Sequence, residues 1–192
     1  CLWPLFHFRL DLTGYDRAHY EAYKRVNLRF AQSLLPLLEQ DDLVWVHDYH
    51  LFPIGRELRK LGAKQRLGFF LHIPFPPREL LTTLPQHLSL VKALFEYDLV
   101  GFQIEDDVKR LAAYVEQDLG GKVGHGWMEA FGKRLRIQAF PVGIDTARFH
   151  DFGFSTHGER EYQRMREFLR DRDQIIGVDR LDYSKGLVRR MN

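Results

Sequence analysis

Two imidazoles and a carboxylate stand together at His47-Asp48-Tyr49-His50. That combination can ligate a divalent metal, sit as hydrogen-bonded structural histidines, or face a sugar or phosphate. Residues i and i+3 at a corner between strand and helix need not share a face, and no other ligand cluster stands in the sequence. The sugar- or phosphate-facing reading is preferred, with Asp48 accepting hydrogen bonds from vicinal hydroxyls. His72 precedes Ile73-Pro74-Phe75-Pro76-Pro77, where the prolines stiffen the backbone and would hold a group without reorganisation. A lone histidine is more often structural than functional, so His72 draws its interest from its company. Arg180 and Lys185 flank a short turn ending at Gly186, where a helix is expected to open. Two cations and a helix N-terminus aimed at one point make a diphosphate site, although the spacing alone reads as two solvated cations. The Walker A spacing is missing, and Gly120-Gly121-x-x-Gly124 follows a helix rather than a strand, so neither nucleotide fingerprint applies.

These groups can act together only if the chain carries them to one edge. Asp16 to Gln40 has the apolar spacing of an amphipathic helix, through Tyr23, Val26, Phe30, Leu34 and Leu38. Asp42 to Val46, Leu67 to Leu71 and Asp98 to Phe102 read as buried strands. They alternate with helices expected at Pro53 to Leu61 (Gly62 closing), Leu88 to Glu96, and Glu105 to Leu119 before Gly120. Such alternation predicts an α/β fold, a Rossmann-like parallel sheet with helices on both faces. Ligands bind beyond the carboxyl ends of strands in these sheets, where His47, Asp48, His50, His72 and Gln103 all fall. A hairpin is expected over Trp127 to Phe140, turning near Gly132. After Pro141 to Asp145 come a charged helix from Gly158 to Arg172 and a buried strand from Gln174 to Val178.

Composition narrows the class. The chain has 192 residues, 45% hydrophobic and 14% aromatic, which is globular rather than disordered. Its formal charge of +2 lends no support to a nucleic-acid partner. The single cysteine, Cys1, excludes an intrachain disulfide and a cysteine-based zinc knuckle. No apolar run reaches the roughly 18 residues of a membrane span, and the opening residues do not read as a signal peptide, so a cytoplasmic setting is expected. Both chain ends fall inside expected elements, and we expect a piece of a longer protein, inactive alone.

Five phrases in order are more specific than any one of them: Leu2-Trp3-Pro4-Leu5-Phe6-His7-Phe8, Val46-His47-Asp48-Tyr49-His50-Leu51, Phe69-Phe70-Leu71-His72-Ile73-Pro74-Phe75-Pro76, Tyr97-Asp98-Leu99-Val100-Gly101-Phe102-Gln103 and Asp179-Arg180-Leu181-Asp182-Tyr183-Ser184-Lys185-Gly186. Together they resemble the trehalose-6-phosphate synthase family, over essentially the whole chain. The resemblance implies a two-domain GT-B glycosyltransferase of family 20. Residues 1–145 would form most of the N-terminal, acceptor-side domain, and 146–192 the start of the nucleotide-sugar domain. The implied reaction moves glucose from UDP-glucose to glucose 6-phosphate with retention, by front-face attack without an enzyme nucleophile. Asp48 would hold the acceptor, Trp3 and Ile73 would shape its pocket, and His72 would lie beside the donor sugar. Arg180 and Lys185 would neutralise the diphosphate. No cofactor or metal is implied, no nucleic acid or membrane partner is expected, and a homo-oligomer is compatible. By the same resemblance, the family's Gly-rich donor loop lies before Cys1, and its acidic donor loop beyond Asn192.

Three rivals remain. A sister transferase such as glucosylglycerol-phosphate synthase would share these motifs but differ in acceptor. A non-catalytic regulatory subunit could keep the fold, though the presence of Asp48, Arg180 and Lys185 argues against it. A hydrolase using His47, Asp48 and His50 on a metal would reveal itself by stoichiometric metal.

Overall fold

The computed structural model describes residues 1–169, 172 and 175–191. Contacts divide the chain into two compact units, Cys1–Pro141 and Val142–Asn192.

The first unit opens with a short helix α1 (Leu2–Phe6), then the amphipathic α2 (Arg17–Leu34). Asp16 caps α2 by accepting the Ala18 N–H at 2.7 Å. The helix stops short of Gln40 because Pro36 offers no N–H, and the chain tightens into a 3-10 turn at Leu35–Leu37. Strand β1 (Leu43–His47), helix α3 (Ile54–Lys60), strand β2 (Arg66–Phe70), helices α4 (Arg78–Leu81) and α5 (His87–Leu94), strand β3 (Leu99–Phe102) and helix α6 (Glu105–Leu119) follow in order. Helix α6 carries Glu105, Asp106 and Asp107 in its first turn, where the helix dipole favours anions, and ends on left-handed Gly120.

The hairpin consists of β5 (Trp127–Ala130) and β6 (Lys133–Ala139), preceded by a short β4 (Lys122–Gly124). Phe131 and Gly132 both have positive φ, 56° and 71°, the backbone that lets two residues reverse a twisted hairpin. The hairpin does not stand apart from the sheet. Strand β6 runs parallel to β3, giving a six-stranded sheet of order β1-β2-β3-β6-β5-β4. Strands β1, β2, β3 and β6 pair in parallel, and β5 and β4 join through antiparallel pairs, so the sheet is parallel only in part.

Leu67, Phe69, Val100, Phe102, Leu135 and Ile137 fill the centre of one core. Strand β1 departs from the fully buried strand expected there: Val44 and Val46 are buried while Leu43 and Trp45 are exposed. Among the described residues it is the outermost strand of the sheet, and its alternating side chains leave Leu43 and Trp45 on a face that little packs against.

The second unit holds α7 (Thr146–Gly153), capped by Asp145 accepting the Arg148 N–H, then α8 (Thr156–Leu169) and the five-residue α9 (Leu187–Met191). None of its described residues is buried. Gln174 lies outside the described residues, and Ile175 to Val178 form no strand. A strand exists through its ladder, and no described segment of this unit pairs beside them.

Candidate functional site

The carboxyl ends of β1 and β2 bring together what the sequence separates by 25 positions. The Nδ1 of His47, last residue of β1, lies 2.9 Å from the Nε2 of His72, two residues past β2. Their backbones are tied by the same edge: the Asp48 N–H donates to the Phe70 carbonyl at 2.8 Å, and the Leu71 N–H to the Gly101 carbonyl at 3.0 Å. The rings are also bounded by aromatics, Trp45 at 4.4 Å from His47 and Phe70 at 4.7 Å from His72.

Asp48 turns the chain between them with φ 67° and ψ 167°. This is a region that glycine occupies almost alone, and a side chain held there stores about 1–3 kcal/mol. The surroundings enforce it. Asp48 Oδ1 accepts the N–H of Tyr49 at 3.0 Å. The Tyr23 hydroxyl donates to the Tyr49 carbonyl at 2.6 Å, and Asn27 Nδ2 donates to the His50 carbonyl at 3.1 Å. Behind the corner, the Tyr97 hydroxyl accepts the Gly55 N–H at 3.0 Å and donates toward the Phe52 carbonyl at 3.1 Å. Burial pushes the phenols of Tyr23 and Tyr97 well above their ordinary range, so both remain hydroxyl donors.

The proline loop after His72 is clamped as well as stiff. Asp107, buried at the start of α6, accepts the Phe75 N–H at 3.1 Å, and Arg110 donates to the Phe75 carbonyl at 3.0 Å. Burial raises the Asp107 carboxyl, while the Phe75 N–H and the Arg110 guanidinium pull it back. Ile73 is buried in the core beneath this loop. Gln103 follows β3 at the same edge, half-buried.

Trp3 reaches the corner from α1, its ring 5.8 Å from that of Tyr49. A mostly apolar cleft of about 470 Å³ opens beside this pair, lined also by Tyr15, Tyr20, Tyr23 and His50. Asp48 and His72 are not among its walls. The ring of His50 lies 3.9 Å from that of Tyr49, on the wall of this cleft. Among the described residues, no three His, Cys, Asp or Glu side chains converge in a group able to hold a metal.

In the second unit, Lys185 ends a 3-10 turn (Tyr183–Lys185) that Asp182 caps through the Ser184 N–H at 2.8 Å. Gly186 closes the turn with φ 62°, a left-handed conformation that suits glycine. Arg180 is exposed, and Lys185 is half-buried.

The sequence named His47, Asp48, His72, Trp3 and Ile73. It passed over Tyr23, Asn27, Tyr97, Asp107 and Arg110, which position them. Spacing places Tyr23 in an apolar stripe, although a phenol on the inward face of a helix already asks for a hydrogen-bond partner.

Parallel strands, a polar edge at their carboxyl ends and a strained carboxylate set into that edge define a Rossmann-like α/β protein of the ligand-binding kind, the class from which GT-B glycosyltransferases are built. The chain belongs to glycosyltransferase family 20, whose family model matches residues 1–192. It is similar to the trehalose-6-phosphate synthase of Sinorhizobium fredii, 44% identical over 99% of this chain and 41% of that protein. A crystal structure of an alpha,alpha-trehalose-phosphate synthase (UDP-forming) from Burkholderia xenovorans, in complex with glucose-6-phosphate, matches with TM-score 0.90 and 46% identity, covering 98% of this chain and 42% of that one. An E. coli structure bound with UDP-2-fluoro glucose matches with TM-score 0.88 and 40% identity, over 98% and 42% of the two chains. The chain thus spans about 41% of the length of the first of these relatives. Among the described residues, no helix is long and apolar enough to cross a membrane.

Proposed function

We propose that this chain is part of an alpha,alpha-trehalose-phosphate synthase (UDP-forming), a retaining transferase that moves glucose from UDP-glucose to glucose 6-phosphate in the cytoplasm. Residues 1–145 form most of its acceptor-side domain, and 146–192 begin its nucleotide-sugar domain. The observation that carries the reading is Asp48: a carboxylate held in strained backbone beside the His47–His72 pair, in a chain similar to a synthase solved with glucose-6-phosphate.

In this reading Asp48 orients the acceptor hydroxyls, with Trp3 and Ile73 shaping the acceptor pocket. His72 lies beside the donor glucose. The bond from the glucose anomeric carbon to UDP breaks and a new one forms to the acceptor oxygen on the same face. The departing phosphate oxygen takes the acceptor's proton. Negative charge grows on UDP as that bond breaks, so Arg180 and Lys185 stabilise the transition state more than the ground state. The diphosphate is neutralised by these side chains, and no metal is assigned. The substrates are small molecules, and a homo-oligomer is compatible with the reading.

The test is UDP release by the full-length protein carrying this sequence. UDP-glucose is the donor, and glucose 6-phosphate or glycerol 3-phosphate the acceptor. Release only with glucose 6-phosphate, with a phosphatase-sensitive trehalose phosphate as product, is expected. Release with glycerol 3-phosphate instead would move the protein to a sister transferase, and silence with both would refute the reading.

A further inference from the structure

We propose that His47 is a positioning residue that sets the tautomer and ring orientation of His72; the inference deepens the transferase reading above and rests on it for its kinetic consequence. The ring centroids are 5.2 Å apart with planes 19° from parallel, while the facing nitrogens are 2.9 Å apart. The centroid separation equals the nitrogen–nitrogen distance plus the two ring radii. The imidazoles therefore meet edge to edge, nearly coplanar, with the hydrogen bond along the line joining them, which is the strong geometry.

A neutral imidazole carries one N–H and one lone pair. When two neutral rings share a hydrogen bond, one must donate and the other accept, so their outer nitrogens are always opposite in kind. If His47 donates from Nδ1, His72 accepts at Nε2 and its Nδ1 must carry the proton. If His72 donates from Nε2, its Nδ1 is a lone pair. The form of His47 is thus tied to whether His72 offers a ligand a donor or an acceptor, the way a partner on one ring nitrogen fixes the other.

Orientation follows from the same contact. The paired strands hold both backbones, with His47 in register with Phe70, and the flanking rings of Trp45 and Phe70 limit rotation on either side. Without the His47 nitrogen, His72 keeps a ring neighbour but loses the hydrogen bond at its Nε2.

The experiment uses the full-length protein with His47→Phe, which keeps a planar ring and removes the nitrogen, and His47→Asn, whose amide places a polar atom near the position of Nδ1. The first readout is the pair of imidazole nitrogen shifts of His72 by NMR in ¹⁵N-histidine protein. A single tautomer is expected in the wild type and in His47→Asn, and an averaged mixture in His47→Phe. The second is kinetics: His47→Phe is expected to lower kcat by about tenfold, at the low end for lost second-layer partners, with KM for glucose 6-phosphate within about twofold, and His47→Asn to recover most of it. Unchanged His72 shifts in His47→Phe would overturn the proposal, as would His47→Asn being as slow as His47→Phe. A wild type that releases no UDP would overturn the transferase reading instead, and the NMR comparison would still decide the pair.

Discussion

The unit Cys1–Pro141 and the unit Val142–Asn192 are built from similar residue types, yet the first buries a set of phenylalanines and the described residues of the second bury none. In the first, Phe6, Phe52, Phe69, Phe75 and Phe102 are at most 2% exposed. In the second, Phe149, Phe152, Phe154 and Phe168 range from 57% to 84% exposed. The difference lies in the sheet. Six strands present a continuous surface on which helices bury apolar area, at about 25 cal/mol per Å². The described residues of the second unit offer only helices and turns, whose apolar stripes have no layer to cover. The candidate site divides the same way. His47, Asp48 and His72 stand at strand ends beside a corner tied by the Tyr23 and Tyr97 hydroxyls, whereas Arg180 and Lys185 sit about a turn that Asp182 caps.

The largest expected effect breaks the core of the first unit. Phe102 is fully buried, with its ring 5.6 Å from that of Phe75, so Phe102→Ala should cost about 3–5 kcal/mol in urea unfolding. A loss below about 1 kcal/mol would mean that the sheet does not carry the stability.

Next is Arg180→Ala in the full-length protein. It should lower kcat/KM for UDP-glucose about a hundredfold if the cation faces the leaving group, with unfolding unchanged because Arg180 is exposed. An unaltered kcat/KM removes Arg180 from the site.

Asp48 sharpens the contrast further, because its strain is maintained by the first unit's packing. Glycine relaxes that backbone and alanine does not, so Asp48→Gly should be more stable than Asp48→Ala by about 1–3 kcal/mol. Both should lose transfer. Equal stability would show that the corner is unstrained.

Alkali should strike the same unit. Burial, reinforced by the nearby Asp118 charge, pushes the Tyr114 phenol up to about 12 from an ordinary 10. A folded value above the unfolded one means that the unfolded chain binds fewer protons between them. Stability is therefore full below pH 10 and falls as pH rises from 10 toward 12. Tyr114→Phe should flatten that fall in thermal melts, and a slope unaffected by the substitution would contradict it.

The smallest effect belongs to the second unit. Phe168→Ala, at a residue 84% exposed, should change the stability of this chain by no more than about 0.5 kcal/mol. A larger loss would show that its ring is covered after all.

Much of this was legible in the residues. Continuous apolar runs marked β2 and β3, and Glu105 with Gly120 bracketed α6. The rule that ligands sit past parallel strands picked out His47, Asp48, His72 and Gln103 before any coordinate. Other features were not legible. Periodicity reports which face of an element is apolar, not which element lies beside it, so β6 read as half of a hairpin with nothing to place it beside β3. The same blindness made β1 look wholly buried, since edge position is a property of the sheet. Ile175 to Val178 had the composition of a strand without a described partner to make them one.

By itself, then, the sequence determined the alternation of strands and helices, the caps and glycine stops, and the polar residues waiting at strand ends, because these depend on backbone preferences and spacing within a few residues. Tertiary structure alone decided the parallel insertion of β6 beside β3, the positive φ of Asp48, the clamp of Asp107 on Phe75 and the bond between His47 and His72. Each joins groups distant in sequence, or imposes a conformation that isolated residues avoid, and only a packed sheet supplies the free energy to hold it.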